Sequence, residues 1–240
     1  MDLIETANNS IEEELNHWWI KTRFLYIDKS LDLIKKKNID IIEYGCGTGQ
    51  NIFYLSNVYK NLSNINSIYG IDPNIEKNSK PFWIKKEGGL QKEDSNILKK
   101  FDLILALDVL EHIENDYDYL DHWVKKLNKK GIILIIVPAF PHLWSFHDLK
   151  MKHKRRYTKK SLIELTKKIN LTPLRINYLF SYMYPINYFL RVLLKSENYN
   201  HLKVPNPFIN NTLIKLGKIE AAINGSSYFG TSIMGIFKKK

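Results

Sequence analysis

Ile39-Asp-Ile-Ile-Glu-Tyr-Gly-Cys-Gly-Thr-Gly-Gln-Asn51 is the stretch on which the reading of this chain turns. The apolar run from Ile39 to Tyr44 predicts a buried strand, and Gly45, Gly47 and Gly49 predict a sharp turn with no Cβ in the way of a ligand. Amides at the start of the following helix then face the pocket. Taken alone, such a turn fits several nucleotide folds or a purely structural bend, and the downstream spacing narrows the choice. Ile68-Tyr-Gly-Ile71 ends in Asp72 one βα unit later, where a carboxylate can accept hydrogen bonds from both hydroxyls of a ribose. Phe101-Asp-Leu-Ile-Leu-Ala-Leu107 leads into Asp108-Val-Leu-Glu-His-Ile113, and Gly131-Ile-Ile-Leu-Ile-Ile-Val137 ends in Pro138. Strands alternating with helices predict an α/β architecture built on a parallel sheet.

These pieces resemble the class I S-adenosylmethionine (SAM)-dependent methyltransferases. The matching residues are Glu43-x-Gly-x-Gly-x-Gly49, Ile71-Asp72-Pro73, Phe101-Asp102-Leu103-Ile104 with Asp108-Val-Leu-Glu-His-Ile113, and Lys130-Gly131-Ile-Ile. The resemblance implies a Rossmann-like fold: a seven-stranded, mostly parallel sheet with helices on both faces. It also implies SAM as cofactor, with the glycine turn cradling its methionine and ribose portions and the acid after the second strand holding the ribose hydroxyls. On this chain the cofactor residues so implied are Glu43, Gly45, Cys46, Gly47, Gly49, Asp72, Pro73 and Asp108. The G-x-G-x-G form and the D-V-L-E-H-I segment favour SAM over NAD. The family's acidic adenine contact has no clear counterpart in Ile84 to Ser95, where Glu87, Glu93, Asp94 or a backbone amide could serve.

Two further stretches resemble a narrower bacterial subgroup associated with glycan, lipid or secondary metabolism. One is His17-Trp-Trp-Ile-Lys-Thr-Arg23. The other is Pro138-Ala-Phe-Pro-His-Leu-Trp-Ser-Phe-His-Asp148 followed by His153-Lys-Arg-Arg-Tyr157. With the closing Gly230 to Phe237 strand, the resemblance spans nearly the whole chain.

A sulfonium already carries a good leaving group, so the protein mainly has to align an acceptor for in-line attack and exclude water. An oxygen or nitrogen acceptor calls for a base. The loop after Val137 is expected to overhang the methyl group, which makes His147 and His153 the candidate bases. Asp148 could orient an imidazole or take a proton itself, while Arg155, Arg156 and Tyr157 could bind an acidic acceptor or close the loop by ion pairing. His112 is expected to shape the pocket, and Trp18, Trp19 and Arg23 to fold over it. No metal-ligand set is read from the spacing.

The expected organisation is one methyltransferase unit over residues 1–240. It comprises an N-terminal helical lid (1–38), a core (39–179), a helical insertion (180–226) and the final strand (227–240). A helix is predicted over Ser161 to Ile169 and a strand over Thr172 to Tyr178, with Pro173 unsettling its start. The insertion either selects the acceptor or only covers the sheet edge. Tyr178, Tyr182, Tyr184, Tyr188 and Phe189 could line an apolar pocket or enter an interface. Arg191 and Lys195 could meet lipid phosphates, giving a peripheral membrane contact through residues 180–195.

With 240 residues and 44% hydrophobic content the chain can bury one core of ordinary size. Its single cysteine, Cys46, excludes an internal disulfide and fits the glycine turn as a small structural side chain. Met1-Asp-Leu-Ile-Glu-Thr does not read as a secretion signal, and Leu179 to Leu194, interrupted by Pro185 and Arg191, reads as too short to span a membrane. The expected location is cytoplasmic or at the inner membrane surface. The formal charge of +11 comes from lysines scattered among many Asn and Ile residues, which reads as compositional bias. Without a nucleic-acid motif, a small-molecule or lipid- or glycan-linked acceptor is preferred over RNA. The intact glycines and acids weigh against a non-catalytic scaffold.

Overall fold

The computed structural model describes residues 11–195, 205–223 and 227–240. Residues 1–10 of the expected lid, and 196–204 and 224–226 of the expected insertion, lie outside the described residues. The N-terminal region forms α1 (Ile11–Asn16) and α2 (Trp18–Leu31), broken at His17, whose Nδ1 accepts the Trp19 backbone N–H. β1 (Ile39–Tyr44) passes through the glycine turn into α3 (Gln50–Asn57), followed by β2 (Ile65–Ile71), β3 (Glu87–Gln91) and β4 (Phe101–Leu107). Next come α4 (Asp116–Lys125), β5 (Leu127–Pro138), α5 (Phe146–Lys150), α6 (Lys159–Lys167) and β6 (Leu171–Leu179). The chain then forms α7 (Tyr184–Tyr188), a π-helical turn (Phe189–Leu193), α8 (Pro207–Ala222) and β7 (Ser232–Lys239).

The seven strands lie in the order β3-β2-β1-β4-β5-β7-β6. All pairings from β3 to β5 are parallel, while β7 runs antiparallel to both β5 and β6. β4 is buried along its whole length, as a central parallel strand covered on both faces must be. Alternate residues feed two cores. Ile41, Leu103, Leu105 and Leu134 meet α2 and α3 on one face, and Ile42, Ile104, Ile133 and Ile135 meet α4 and α6 on the other. Helix starts follow local chemistry. Asn115 accepts from the Asp118 N–H ahead of α4, whose first turn is acidic and last turn basic, and Asn206 caps α8 with Pro207 behind it. Pro173 is tolerated because β6 is an edge strand, and the β6–β7 register shifts between Pro173 and Arg175.

The expected lid and insertion are tied together. A Cβ at Gly217 would lie 2.4 Å from Thr22 Oγ1, so α8 crosses α2 closely. Asn210 accepts the Trp18 N–H at 2.9 Å and donates to the Asn16 carbonyl at 2.9 Å, and Lys29 donates to the Ala221 carbonyl. Buried Glu220 accepts the N–H groups of Phe180 (2.6 Å) and Ser181 (2.7 Å), anchoring α8 just beyond the carboxyl end of β6. Among the described residues no helix is long and apolar enough to cross a membrane.

Candidate active site

Strand order reverses between β1 and β4, and the crevice outside the carboxyl ends of such strands is where open parallel sheets bind ligands. The glycine turn sits there. Gly45, Gly47 and Gly49 have φ of 71°, 53° and 87°, the left-handed region that glycine occupies without strain. The Gly45 and Cys46 N–H groups both donate to the Ile71 carbonyl, locking the turn to the end of β2. Asp72 follows at once: its Oδ2 accepts from the Gly47 N–H at 2.9 Å and its Oδ1 from the Asn74 N–H at 2.9 Å. Pro73 is exposed beside it. Cys46 packs against Gly70, and burial, aided by the Glu43 and Asp72 carboxylates, pushes its thiol well up, so it is a structural side chain and no nucleophile.

Two residues deepen this site beyond what the sequence reading assigned to them. Arg23, expected only in a lid, is 1% exposed, lies over the Trp19 ring and approaches Asp108 Oδ2 to 3.6 Å. Glu14 accepts from Thr48 Oγ1 at 3.0 Å and from Gln50, bracing the turn from α1. Arg23 Nε and Nη1, Asp108 Oδ2 and Glu43 Oε2 are buried without a hydrogen-bond partner. Native interiors rarely leave such groups unpaired. A guanidinium and two carboxyls with spare bonding capacity at one end of β1 and β4 suit a ligand carrying both a carboxylate and a cation.

Burial lifts the Glu43 carboxyl to about 7, with Asn51 and Arg23 pulling it down and Asp72 pushing it up. A raised folded-state value contributes stability that is complete below the unfolded value of 4.5 and lost as pH rises through 7. Glu43→Gln, which keeps the shape without the charge, is therefore expected to match wild type at pH 4 and to exceed it at pH 8 by ~3 kcal/mol in urea unfolding. Equal stabilities at pH 8 would remove the assigned shift.

At the carboxyl ends of β4, β5 and β6 lies a cavity of about 140 Å³, lined by Trp18, Trp19, Asp108, His147, His153 and Arg156 among others. Asp148 organises its wall. Fully buried and held below the usual carboxylate range by His153 and Arg156, it accepts from His153 Nδ1 (2.9 Å) and Arg156 Nε (2.8 Å) through Oδ1, and from the Ser145 N–H (2.9 Å) through Oδ2. Because this carboxylate can only accept, His153 Nδ1 carries the proton and Nε2 is left to act outward. Arg156 also donates to the Ala139 carbonyl at 2.9 Å. His147 reaches the same cavity, but burial, reinforced by the Arg191 cation, lowers it to about 3, so its ring is neutral and a weak base at pH 7.

Two expectations are corrected here. Tyr157 does not line the cavity: residue 157 bridges Ala139 in extended conformation, so Arg156 and Tyr157 point to opposite sides. The Tyr157 hydroxyl donates to Asp116 Oδ2 at 2.7 Å in the core. Arg191, expected to reach lipid phosphates, turns inward to line the cavity, 3.9 Å from Asp148 Oδ2. Met183 and Asn187 join it, so the insertion helps to shape the pocket. Arg155 closes its loop by pairing with Asp116 at 3.1 Å, and His112 lines the pocket as expected. Of the acids weighed for the adenine contact, Glu87 sits at the start of β3 paired with Lys99 and Tyr69, and Asp94 is held by Tyr44, His122 and Lys126. Glu93 accepts from Ser95 Oγ.

Asp108, Phe140 and Phe180, just beyond the carboxyl ends of β4, β5 and β6, are non-glycine residues with φ of 55°, 57° and 58°. Backbone strain of this kind, about 1–3 kcal/mol per residue, persists where surrounding structure over-determines it and clusters at ligand sites.

Over residues 18–176 the chain matches the family model described as a methyltransferase domain. The ubiquinone biosynthesis O-methyltransferase of Rickettsia bellii is 27% identical over 106 residues, 41% of either chain, so the match spans about two fifths of that relative's length. A SAM dependent methyltransferase from Archaeoglobus fulgidus has a similar structure, with a TM-score of 0.54 and 14% identity over 99% of this chain and 98% of the other. The plantazolicin methyltransferase BamL, solved with a triazolic desmethylPZN analog and SAH, gives a TM-score of 0.54 and 13% identity over 98% and 88%. Identities this low carry the fold alone: the Rossmann-like sheet with helices on both faces.

Proposed function

This chain belongs to the methyltransferase domain family, and from that premise we propose that it binds SAM at the glycine turn and methylates a small-molecule or lipid- or glycan-linked acceptor held in the adjoining cavity. The observation that carries the reading is the set of buried polar atoms without a hydrogen-bond partner on Arg23, Asp108 and Glu43 beside the turn. Arg23 suits the methionine carboxylate, the acidic pair suits the cationic part of the ligand, and Asp72 suits the ribose hydroxyls as an acceptor. When bound, SAM supplies a methyl group activated by its sulfonium. The chain's own task is then to align and activate the acceptor and to exclude water.

Trp18, Trp19, Met183 and Phe180 give the cavity its apolar walls, and in this reading the hydrogen-bonded Asp148–His153 pair serves to activate the acceptor atom. Ile186, Phe189 and Leu193 are exposed on the same segment that sends Asn187 and Arg191 into the cavity. An apolar outer face so close to the pocket supports a lipid-linked acceptor and a peripheral contact at the inner membrane surface.

Isothermal titration with S-adenosylhomocysteine (SAH), run beside NAD, tests the cofactor. Micromolar binding of SAH with no heat from NAD is expected, and the reverse would overturn the reading. With an acceptor found by screening hydroxylated aromatic and isoprenoid compounds, His153→Ala should slow methyl transfer about 10²-fold or more while SAH affinity stays within twofold. Full activity in that variant would remove the assigned pair.

A further inference from the structure

The wall of the acceptor cavity carries two side chains, Glu111 and His112, to which methyl transfer as outlined above gives no chemical role, beside His153, to which it gives one. Glu111, His112 and His153 each present a ligand atom lying within 4.8 Å of the other two. All three line the cavity. Glu111 is 1% exposed, and its Oε2 is buried without a hydrogen-bond partner. The rings of His112 and His153 meet edge to face, with centroids 4.7 Å apart. Behind His153, Asp148 accepts its Nδ1 proton at 2.9 Å and is itself held by Arg156 and Ser145.

We propose that Glu111, His112 and His153 form a binding site for one divalent transition-metal ion, of which Zn²⁺ is the reference case, with Asp148 as the outer carboxylate that fixes the His153 ring. Two imidazoles and one carboxylate are a donor set suited to Zn²⁺ and its first-row neighbours, whereas Mg²⁺ prefers oxygen alone. The carboxylate–histidine pair is the usual outer arrangement of a metal-bound imidazole: it sets the tautomer, aims Nε2 at the ion and raises its basicity. Ligands about 2.1 Å from a tetrahedral ion lie ~3.4 Å from one another, so an ion closes the present spacing by a rotamer adjustment of about an ångström or two. It also supplies the partner that the buried Glu111 oxygen lacks.

Three protein ligands leave coordination positions open, and these face the cavity. A bound ion there would hold an acceptor through an oxygen donor, a hydroxyl or a carboxylate, so that the Asp148–His153 pair would act through the ion it helps to hold and not as a free base. This role rests on the methyltransferase reading, whereas binding of the ion does not. Around the site Asp108 faces Arg23, and Asp148 faces Arg156 and Arg191. Sequence spacing concealed the set, because adjacent Glu111 and His112 are joined by a histidine from a later loop.

Metal-free full-length protein titrated with Zn²⁺ alone, followed by calorimetry and with Co²⁺ by visible absorption, tests the site. One equivalent should bind with micromolar or tighter affinity, and Co²⁺ should give the bands of a low-symmetry nitrogen–oxygen site. Glu111→Gln, which keeps the shape of a buried side chain, and His112→Gln, at a half-buried position, should each weaken Zn²⁺ at least tenfold. SAH affinity measured on the same samples reports that the variants remain folded. Absence of saturable Zn²⁺ binding to protein that binds SAH overturns the metal site and leaves the methyltransferase reading standing. Zn²⁺ bound with unchanged affinity by both variants overturns it equally. Zn²⁺ binding lost in the variants of a protein that never binds SAH supports the site and overturns the cofactor reading instead.

Discussion

Asp148→Ala is expected to lower the free energy of unfolding by about 3–5 kcal/mol, a large share of the ~5–15 kcal/mol that holds an ordinary protein folded. The carboxylate is fully buried and serves His153, Arg156 and the Ser145 N–H at once, with Arg191 3.9 Å away. Removing it strands the Arg156 guanidinium, whose side chain is 3% exposed, beside a second cation and without a counter-charge. The cost is that of an uncompensated buried ion, and it exceeds the net worth of the pair. Replacing both partners avoids it, so Asp148→Asn combined with Arg156→Met should recover at least half of the stability lost by Asp148→Ala. Because the folded-state value of Asp148 is depressed, its contribution is present above the unfolded carboxylate value and is lost only as pH falls through the folded one. Urea unfolding should therefore show the same gap between wild type and Asp148→Ala at pH 5 and pH 8. A loss under 1 kcal/mol, or a gap that closes by pH 5, would contradict the geometry.

How far the sequence disclosed this site depended on whether a residue's role is local. The glycine turn was legible because three glycines after a buried strand demand positive φ at one place, and Asp72 was legible because its position follows from the end of the next strand. The paired histidines and aspartate after β5 stood out as unusual chemistry in a loop, and the structure brings them together around the cavity. Arg23 was not legible: on a helix with Trp18 and Trp19, its burial follows from how α2 crosses the ends of β1 and β4 and is pressed down by α8, a contact between distant parts of the chain. Tyr157 was misplaced because one residue of extended backbone separates a cavity-facing side chain from a core-facing one, and the bridge to Ala139 that sets the register is itself long-range. Arg191 reads as a surface cation on an apolar helix until the inward turn of its segment places it against Asp148.

Asp72→Ala should weaken SAH binding by at least about 100-fold and leave most of the fold intact. A carboxylate that accepts from both ribose hydroxyls makes two charge-assisted hydrogen bonds, each worth ~1.5–3 kcal/mol, or a combined factor of ~10²–10⁴ in affinity. Asp72 also braces the turn, since its Oδ2 accepts the Gly47 N–H and its Oδ1 the Asn74 N–H. The alanine variant therefore loses both the contact and the preorganised loop. Stability should suffer much less than in Asp148→Ala, because the strand ends on either side stay joined through the Gly45 and Cys46 bonds to Ile71. Asp72→Asn separates the two effects: one oxygen can still brace the turn while the charge is gone, so its affinity should fall between wild type and Asp72→Ala. Calorimetric titration of the three proteins with SAH, beside their thermal melts, gives the answer. Equal affinity in wild type and Asp72→Ala would place the ribose elsewhere and detach the glycine turn from the role assigned to it, whereas graded loss with preserved melting would fix Asp72 as the residue that holds the cofactor's sugar.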